Sequence, residues 1–241
     1  MSELRINNIT DRTGGSGPVI AGVSTVTGTG AFTVPVGSTE NRGGRGRGVV
    51  GGGNNPAINS LEYVTIATTG NSIDFGDLIP AGWGPGSGMA SPTRGLFGGG
   101  VVNSVYSKMI EYITIQSKGN AQEFGNLTLA REEPAAASST TRAVWGGGAV
   151  PGSVLDNIDY VTIASLGNAT DFGNLVRIKR ALSATSNMVR GIFAGGWAPS
   201  SNYGDIDLIT IASTGNATTF GDLITARRDS AACSDAHGGL G

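Results

Sequence analysis

The sequence lacks the residues on which several classes of site depend. It contains one cysteine, Cys233, and one histidine, His237, among 241 residues. One cysteine excludes an internal disulfide framework and a cysteine-rich zinc site, and one histidine excludes a metal site built from several imidazoles. A catalytic triad would have to use His237 near the C-terminus, where a structural position is the better interpretation. We therefore predict a protein that is not an enzyme and that holds no metal or cofactor.

Charge and long apolar stretches are scarce as well. Charged residues make up 14% of the chain and the net charge is −2, which gives no electrostatic basis for nucleic-acid binding. No apolar run approaches the ~18 residues that indicate a membrane span, and the polar residues 1–5 are not followed by a signal-peptide core. The sequence predicts a soluble protein, made in the cytoplasm, without membrane insertion or a nucleic-acid partner.

Glycine, by contrast, is abundant, with 41 residues in the chain of 241. There is no Gly-X-Y period, so a collagen-like triple helix is excluded. Glycine also recurs too often for long helices, and no segment has a sustained helical stripe of apolar residues. The hydrophobic share of 39% is close to that of globular proteins, which favours a folded chain of strands and turns.

Three patterns recur in the same order about every 48 residues, a period typical of repeat architectures. An apolar pair precedes a glycine cluster, a strand-like run follows, and a Gly-Asn turn then leads to a phenylalanine. The apolar pairs begin at Val49, Leu96, Val144 and Ile192. The strand-like runs begin at Leu61, Ile110, Ile158 and Ile206. The phenylalanines, predicted to fill the core, are Phe75, Phe124, Phe172 and Phe220.

These repeats predict an all-β fold of four units, each matching one blade of a small β-propeller. A basic residue and a run of small residues follow the second, third and fourth units, as in Arg180 to Ser186, and we predict that this run is the innermost strand. The first repeat lacks such a run, and Arg228 to Ser234 would supply it. We predict a closed ring over residues 42–241, with an open array or completion between chains as the alternative.

The order of these signals resembles the kelch motif. A glycine cluster, a tyrosine, a later aromatic residue and then an arginine occur in the kelch order, although phenylalanine stands where kelch repeats usually have tryptophan. Leu208 also replaces the tyrosine in the fourth repeat. This resemblance implies a kelch-like β-propeller.

Two segments are similar to tail-fibre-like and other virion proteins of tailed phages, notably those that infect cyanobacteria. They are the opening residues 2–12 and the repeat wording of residues 160–175. The resemblance implies a structural appendage of the virion, made in the host cytoplasm, that mediates assembly or contact with the host surface. Residues 1–41, an extended or irregular segment outside the repeats, would attach to other virion structural proteins. A homo-oligomer is expected, and a disordered leader is the alternative for residues 1–41.

The loops after the glycine clusters differ among the repeats and carry aromatic residues. Exposed tryptophan and tyrosine side chains stack on sugars and anchor protein interfaces. We therefore predict that a host glycan or protein receptor binds through Trp83, Tyr106, Trp197 and Tyr203. Local packing of these rings is the alternative. Two other functions stay open, a carbohydrate-binding or carbohydrate-degrading β-propeller and a cellular kelch-type adaptor.

Overall fold

The computed structural model describes residues 46–53, 58–66, 68–79 and 86–234. The chain divides into two units, Met1–Gly43 and Gly44–Gly241, and every described residue belongs to the second. The predicted attachment segment 1–41 and Trp83 lie outside the described residues. Within them, all regular secondary structure is β-strand, so the all-β prediction is confirmed.

Four antiparallel sheets follow one another along the chain. The first sheet has three strands, β1 (Arg47–Gly53), β2 (Ile58–Thr65) and β3 (Ile73–Asp77). The second has four, β4 (Ser87–Ala90), β5 (Arg94–Gly98), β8 (Met109–Thr114) and β9 (Gln122–Asn126). The third is β10 (Ala135–Ser138), β11 (Arg142–Gly146), β14 (Asn157–Thr162) and β15 (Thr170–Asn174). The last is β16 (Ser183–Ser186), β17 (Arg190–Ala194), β20 (Asp205–Thr210) and β21 (Thr218–Asp222).

A two-stranded hairpin separates the second and third strands of each four-stranded sheet. These hairpins are β6 (Val101–Val102) with β7 (Val105–Tyr106), β12 (Ala149–Val150) with β13 (Ser153–Val154), and β18 (Trp197–Ala198) with β19 (Ser201–Asn202). They follow the glycine clusters directly, where Gly99, Gly147 and Gly195 have positive φ angles between 68° and 73° that glycine adopts most readily.

The four sheets share one register, which the sequence repeat predicts. An arginine pairs with a threonine at the same place in each sheet: Arg47 with Thr65, Arg94 with Thr114, Arg142 with Thr162, and Arg190 with Thr210. The strand-like runs of the sequence are confirmed as β2, β8, β14 and β20. Each of the four sheets therefore contains the same three-stranded antiparallel unit, and the last three sheets have a fourth strand.

Neighbouring sheets are linked by main-chain hydrogen bonds from the Gly-Asn turns, which the sequence pattern indicates only as turns. The amide of Gly119 donates to the carbonyl of Phe75 in the preceding sheet at 2.8 Å, and the Asn120 side-chain oxygen accepts from the amide of Asp77 at 3.1 Å. The same bonds join the second sheet to the third and the third to the last. We call this set of contacts the inter-sheet joint.

Glycine is required on the receiving side of the joint. A Cβ atom added at Gly76 would lie 2.5 Å from the carbonyl carbon of Gly119, and Gly125 and Gly173 face the next turn in the same way. Real Cβ atoms do not approach main chain so closely, so any larger residue would separate the two sheets. The close approach explains why a glycine follows Phe75, Phe124 and Phe172, whereas Gly221, which follows Phe220, faces no such turn among the described residues.

Aromatic side chains fill the space between the sheets. Phe75, Phe124 and Phe172 are 2–3% exposed, as predicted for core residues. Trp145 is fully buried and lies over Gly98 of the preceding sheet, where a Cβ atom would come within 2.7 Å of the indole nitrogen. Large rings on one sheet therefore pack against glycine on the sheet before it.

An arginine at the start of β1, β5 and β11 also ties its sheet to the next one. The guanidinium of Arg94 lies 4.9 Å from the ring centroid of Tyr112 in its own sheet and donates to the carbonyl of Ile163 in the next sheet at 2.7 Å. Arg47 and Arg142 make the equivalent contacts. Arg190, in the last sheet, is exposed and has no such acceptor among the described residues.

Buried carboxylates complete the joint. The carboxylate of Asp159 accepts from the amide of Thr128 in the preceding sheet at 2.9 Å and pairs with Arg131 at 2.5 Å, with both charged side chains fully buried. Asp207 pairs with Lys179 at 3.1 Å in the equivalent place. Glu111, the third member of this series, accepts from the amide of Ile79, but no cation faces it among the described residues.

Among the described residues, no strand pairing joins the two ends of the array, and the predicted closed ring stays a prediction. Phe220, predicted to lie in the core, is 56% exposed because no further described sheet covers it, and Ile66 on the first sheet is 71% exposed. The C-terminal run reaches Ser234 beside β16, but in the described part of the chain it forms no ladder with β1. The described residues thus form an all-β array of antiparallel sheets in which no other described sheet covers the two end sheets.

We expect Arg94→Met to lower the free energy of unfolding by about 1–2 kcal/mol, because it removes a cation–π contact and a hydrogen bond between sheets. Urea denaturation of the monomeric chain measures the change. Arg190→Met is the matched control and should leave the monomer within about 0.5 kcal/mol of wild type. Equal losses in the two variants would contradict the role assigned to Arg94.

Glu111→Gln should stabilise the fold at neutral pH. Burial raises the pKa of the Glu111 carboxyl above its ordinary value of 4.5, and the hydrogen bond from Ile79 opposes the shift only in part. The folded state therefore keeps the Glu111 proton to a higher pH than the unfolded state does. The free energy of unfolding accordingly falls as the pH rises from the ordinary glutamate pKa through the raised one. Glutamine removes the charge and keeps an acceptor for Ile79.

The stability difference between Glu111→Gln and wild type, measured by urea denaturation across pH, should be positive at pH 7 and vanish below the ordinary glutamate pKa. Glu123→Gln, at an exposed position on β9, is the control. A stability gain that did not depend on pH would show that burial of the charge is not the cause.

Candidate binding surface

The hairpins carry the predicted aromatic residues on one rim of the array. Tyr106 ends β7, Trp197 begins β18, and Tyr203 directly follows β19. All three residues are partly buried. Trp83 lies outside the described residues.

Two of the predicted residues are joined through an ionic network. The hydroxyl of Tyr106 donates to a carboxylate oxygen of Glu132 at 3.0 Å, and Arg180 donates to the same oxygen at 2.9 Å. The Arg180 guanidinium lies 4.7 Å from the ring centroid of Trp197. The structure thus brings Tyr106 and Trp197 into one connected set of contacts, which we call the rim network.

Arginine side chains cover the faces of the aromatic rings. Trp197 has a second guanidinium over its ring, that of Arg228 at 5.4 Å, and Arg177 lies 5.0 Å from the ring centroid of Tyr203. Local packing therefore covers part of each of these rings, and the part that stays exposed is bordered by positive charge. A ligand on this rim would meet planar guanidinium groups as well as aromatic edges, a combination suited to carboxylate or phosphate groups.

Glu132 is a member of the rim that the sequence patterns do not single out. Its place is explained by the repeat, since Glu132, Arg180 and Arg228 occupy the same position in successive repeats. Equivalent positions in successive sheets lie side by side, so charges of opposite sign at this position can pair across sheets. The repeat interval is the signal that could have revealed the pairing.

The Tyr106–Glu132 contact changes the chemistry of the tyrosine. The hydrogen bond to the Glu132 carboxylate raises the pKa of Tyr106 above 10.0, and burial adds to this effect, while the charge of Arg180 opposes it. The hydroxyl thus stays protonated and remains a donor. The rim network can offer hydrogen bonds to a polar partner, but Tyr106 does not lose its proton at neutral pH.

Two grooves lie away from the rim. One, of 430 Å³, runs between the first and second sheets and is lined by Val49, Gly51, Met89 and Phe97 among others. The other, of 280 Å³, lies where the small-residue strands β4, β10 and β16 meet the segment from Ala232 to Ser234. Neither groove is lined by a described aspartate or glutamate, so neither holds the paired carboxylates that glycoside hydrolysis needs.

Metal ligands and membrane-spanning helices can be assessed for the described ranges only. There, no group of three or more histidine, cysteine, aspartate or glutamate side chains is arranged to hold a metal ion. No helix in that part of the chain has the length and apolarity required to cross a bilayer.

Comparisons with known proteins bear on the fold. No family model matches the chain, and no curated protein matches its sequence. Among solved structures, the chain is similar to the one described as "Structure of YjhT", with a TM-score of 0.62 and 13% identity. The match covers 77% of this chain and 70% of the other. At this level of identity, the similarity supports the all-β fold and carries no information on activity.

We expect Glu132→Ala to lower the pKa of Tyr106 toward 10.0, because the variant removes the acceptor that holds the phenolic proton. A pH titration of the tyrosine ring carbons by NMR measures the change. Glu123→Ala, at an exposed position on β9, is the control and should leave the Tyr106 titration unchanged. An unaltered pKa in Glu132→Ala would show that the hydrogen bond is not formed in solution.

Proposed function

We propose that this chain is a structural appendage subunit of a phage virion, acting as a tail fibre, tip or decorating protein. It mediates assembly, contact with the host surface, or both. The observation that carries the proposal is the uncovered end of the array, where Phe220 is 56% exposed and Ile224 is completely exposed. Apolar residues left at an uncovered sheet are typical of a protein that completes its core against a partner.

The finer architecture is part of the proposal. The shared register of the four sheets supports kelch-like repeats that act as blades of a small β-propeller. The meeting of β4, β10 and β16 around one groove supports their assignment as innermost strands, because small residues allow backbones to approach an axis closely. The similarity in fold to the YjhT structure is compatible with this arrangement.

The partners follow from the same reasoning. Residues 1–41 are proposed to attach the subunit to other virion structural proteins, and the subunit is proposed to be a homo-oligomer in the virion. The rim, with Tyr106, Trp197 and Tyr203, is the proposed surface for a host glycan or protein, and Trp83 belongs to the same prediction. Loops held by a rigid scaffold are where binding residues are commonly found.

A carbohydrate-binding β-propeller is the second candidate function. The rim network favours it, because tyrosine and tryptophan edges stand beside arginine and glutamate side chains that can bind sugar hydroxyl or carboxylate groups. The binding form of this candidate has more support than the degrading form, since the two grooves described above are not lined by acidic residues.

Immunogold labelling tests the virion assignment. Antibodies raised against the full chain should label intact, purified tailed-phage particles at a fixed position on each particle. Detection of the chain only as free protein in infected or uninfected cells, with unlabelled particles, would overturn the assignment and favour a cellular role.

The rim assignment has its own test. The purified full chain should bind host cells, and Trp197→Ala or Tyr203→Ala should weaken that binding by about tenfold or more, as loss of an aromatic anchor does. Leu166→Ala is the control, because this side chain is 57% exposed on a turn outside the hairpins. Glycan-array binding that is lost in the same variants would favour the carbohydrate-binding candidate, and binding that is equal in all variants would refute the rim as the contact surface.

A further inference from the structure

The two ends of the array carry the two unused halves of the inter-sheet joint. Within the chain, the Gly-Asn turn of one sheet lies on the outer strand of the sheet before it. Among the described residues, the turn of the first sheet, Gly70-Asn71, lies on no outer strand, and β21 of the last sheet receives no turn. Phe220 is 56% exposed for this reason, whereas its three counterparts are 2–3% exposed.

We infer that the last sheet of one chain binds the first sheet of a second copy through the same joint that links neighbouring sheets within the chain. The equivalent positions place the amide of Gly70 on the carbonyl of Phe220 and the Asn71 side chain on the amide of Asp222. This inference rests on the proposed homo-oligomeric assembly and names its surface, but it needs no other virion protein.

Charge complementarity supports the pairing. Inside the chain, Arg131 and Lys179 lie in buried pairs with Asp159 and Asp207 of the next sheet. Counted by the repeat interval, the corresponding residues at the two ends are Arg227 and Glu62. Both are exposed and of opposite charge, so contact between the ends would pair them.

The unused arginine has a matching acceptor. Arg47, Arg94 and Arg142 each donate to an isoleucine carbonyl of the following sheet. Arg190 occupies the same position in the last sheet and is exposed. The isoleucine at the corresponding position of the first sheet is Ile66, which is 71% exposed. Docking of a second copy would bring Arg190 to the Ile66 carbonyl.

Side-chain volumes at the two ends are also complementary. Within the chain, a large ring such as Trp145 or Phe193 packs against a glycine of the preceding sheet. At the ends, the ring position is the smaller Val50, which is 70% exposed, and the glycine position is the larger Ala194. Val50 is smaller than the rings at its position, and Ala194 is larger than the glycines at its position. The two together therefore fill a similar space, which fits a contact between these two ends.

The C-terminal segment is placed to supply the fourth strand that the first sheet lacks among the described residues. The hydroxyls of Ser138, Ser186 and Ser234 each donate to the equivalent carbonyl of the preceding small-residue strand, at 3.0, 2.7 and 2.8 Å. Residues 231–234 therefore continue the row formed by β4, β10 and β16. In the register of β16 with β17, they would pair with residues 48–51 of β1, beside the groove of 430 Å³.

The second copy is favoured over the chain's own first sheet by the geometry of the internal joints. Three equivalent joints, each with the same hydrogen bonds, leave both ends of one chain uncovered. Within the described residues, the rotation at each joint therefore does not bring the first and last sheets into strand pairing. A head-to-tail contact of this kind produces a closed ring or a filament of several chains.

Charge reversal in the full chain tests the inference. Sedimentation velocity and light scattering should show that the wild-type chain assembles beyond a monomer. Glu62→Arg and Arg227→Glu should each raise the dissociation constant by at least about tenfold. An equimolar mixture of the two variants should assemble again, because every contact then joins opposite charges. Glu123→Arg, at an exposed position on β9, is the control and should assemble like wild type.

Three results would overturn the inference. The wild-type chain could stay monomeric at all concentrations, the assembly could be insensitive to both reversals, or the mixture could fail to restore it. Reversals that lower the stability of a monomer, with recovery in the double variant, would instead show that the chain's own ends join. If antibodies label virions but the purified chain is monomeric, the proposed function stands and the contact between copies is refuted. If the chain assembles through these ends but virions are not labelled, the contact stands and the proposed function is refuted.

Discussion

The main-chain hydrogen bonds between a Gly-Asn turn and the outer strand of the preceding sheet are the contacts on which this architecture depends. They place Gly119, Gly167 and Gly215 against strands of the sheet before them, at donor–acceptor distances of 2.7–2.9 Å. The approach is so close that the facing residue must be glycine. Because the contact is made by the backbone, it tolerates differences in the loops while it holds the spacing between sheets constant.

The side-chain contacts depend on that spacing. Rings such as Trp145 reach across to a glycine in the preceding sheet, and Arg94 spans from its own tyrosine to the next sheet. The buried Arg131–Asp159 pair combines a cation from one sheet with a carboxylate from the next. A buried pair of this kind is costly to break because it would leave an uncompensated charge, so it fixes which sheets are neighbours more than it adds to stability.

The same joint determines which surfaces the end sheets expose. A repeat that binds its successor through one surface and its predecessor through another always leaves two complementary surfaces at the ends, unless the ring closes. Here the ends expose apolar residues, whereas the rim exposes arginines, glutamates and parts of aromatic rings. This difference in chemistry is the basis for proposing copies of the chain as partners at the ends and a polar ligand at the rim.

Much of the strand arrangement could be predicted from the sequence, because the repeat interval and the β-branched runs are local signals. The runs at Leu61, Ile110, Ile158 and Ile206 became strands of equivalent register, and three of the four phenylalanines are buried. Phe220 has the same local sequence context but is exposed, since its burial requires a sheet that follows it. The link from Tyr106 through Glu132 and Arg180 to Trp197 was also missed, because it joins residues of different repeats.

The sequence by itself determined the all-β class, the length of the repeating unit and the positions of its turns, since each depends on residues close together in the chain. Only the tertiary structure decided what those turns do. Gly-Asn pairs that read as hairpin turns bind the neighbouring sheet, and the arginine beside each tyrosine bonds to the next sheet as well. Whether the ends are covered depends on the rotation accumulated over three joints, a property of packing between repeats that no single repeat encodes.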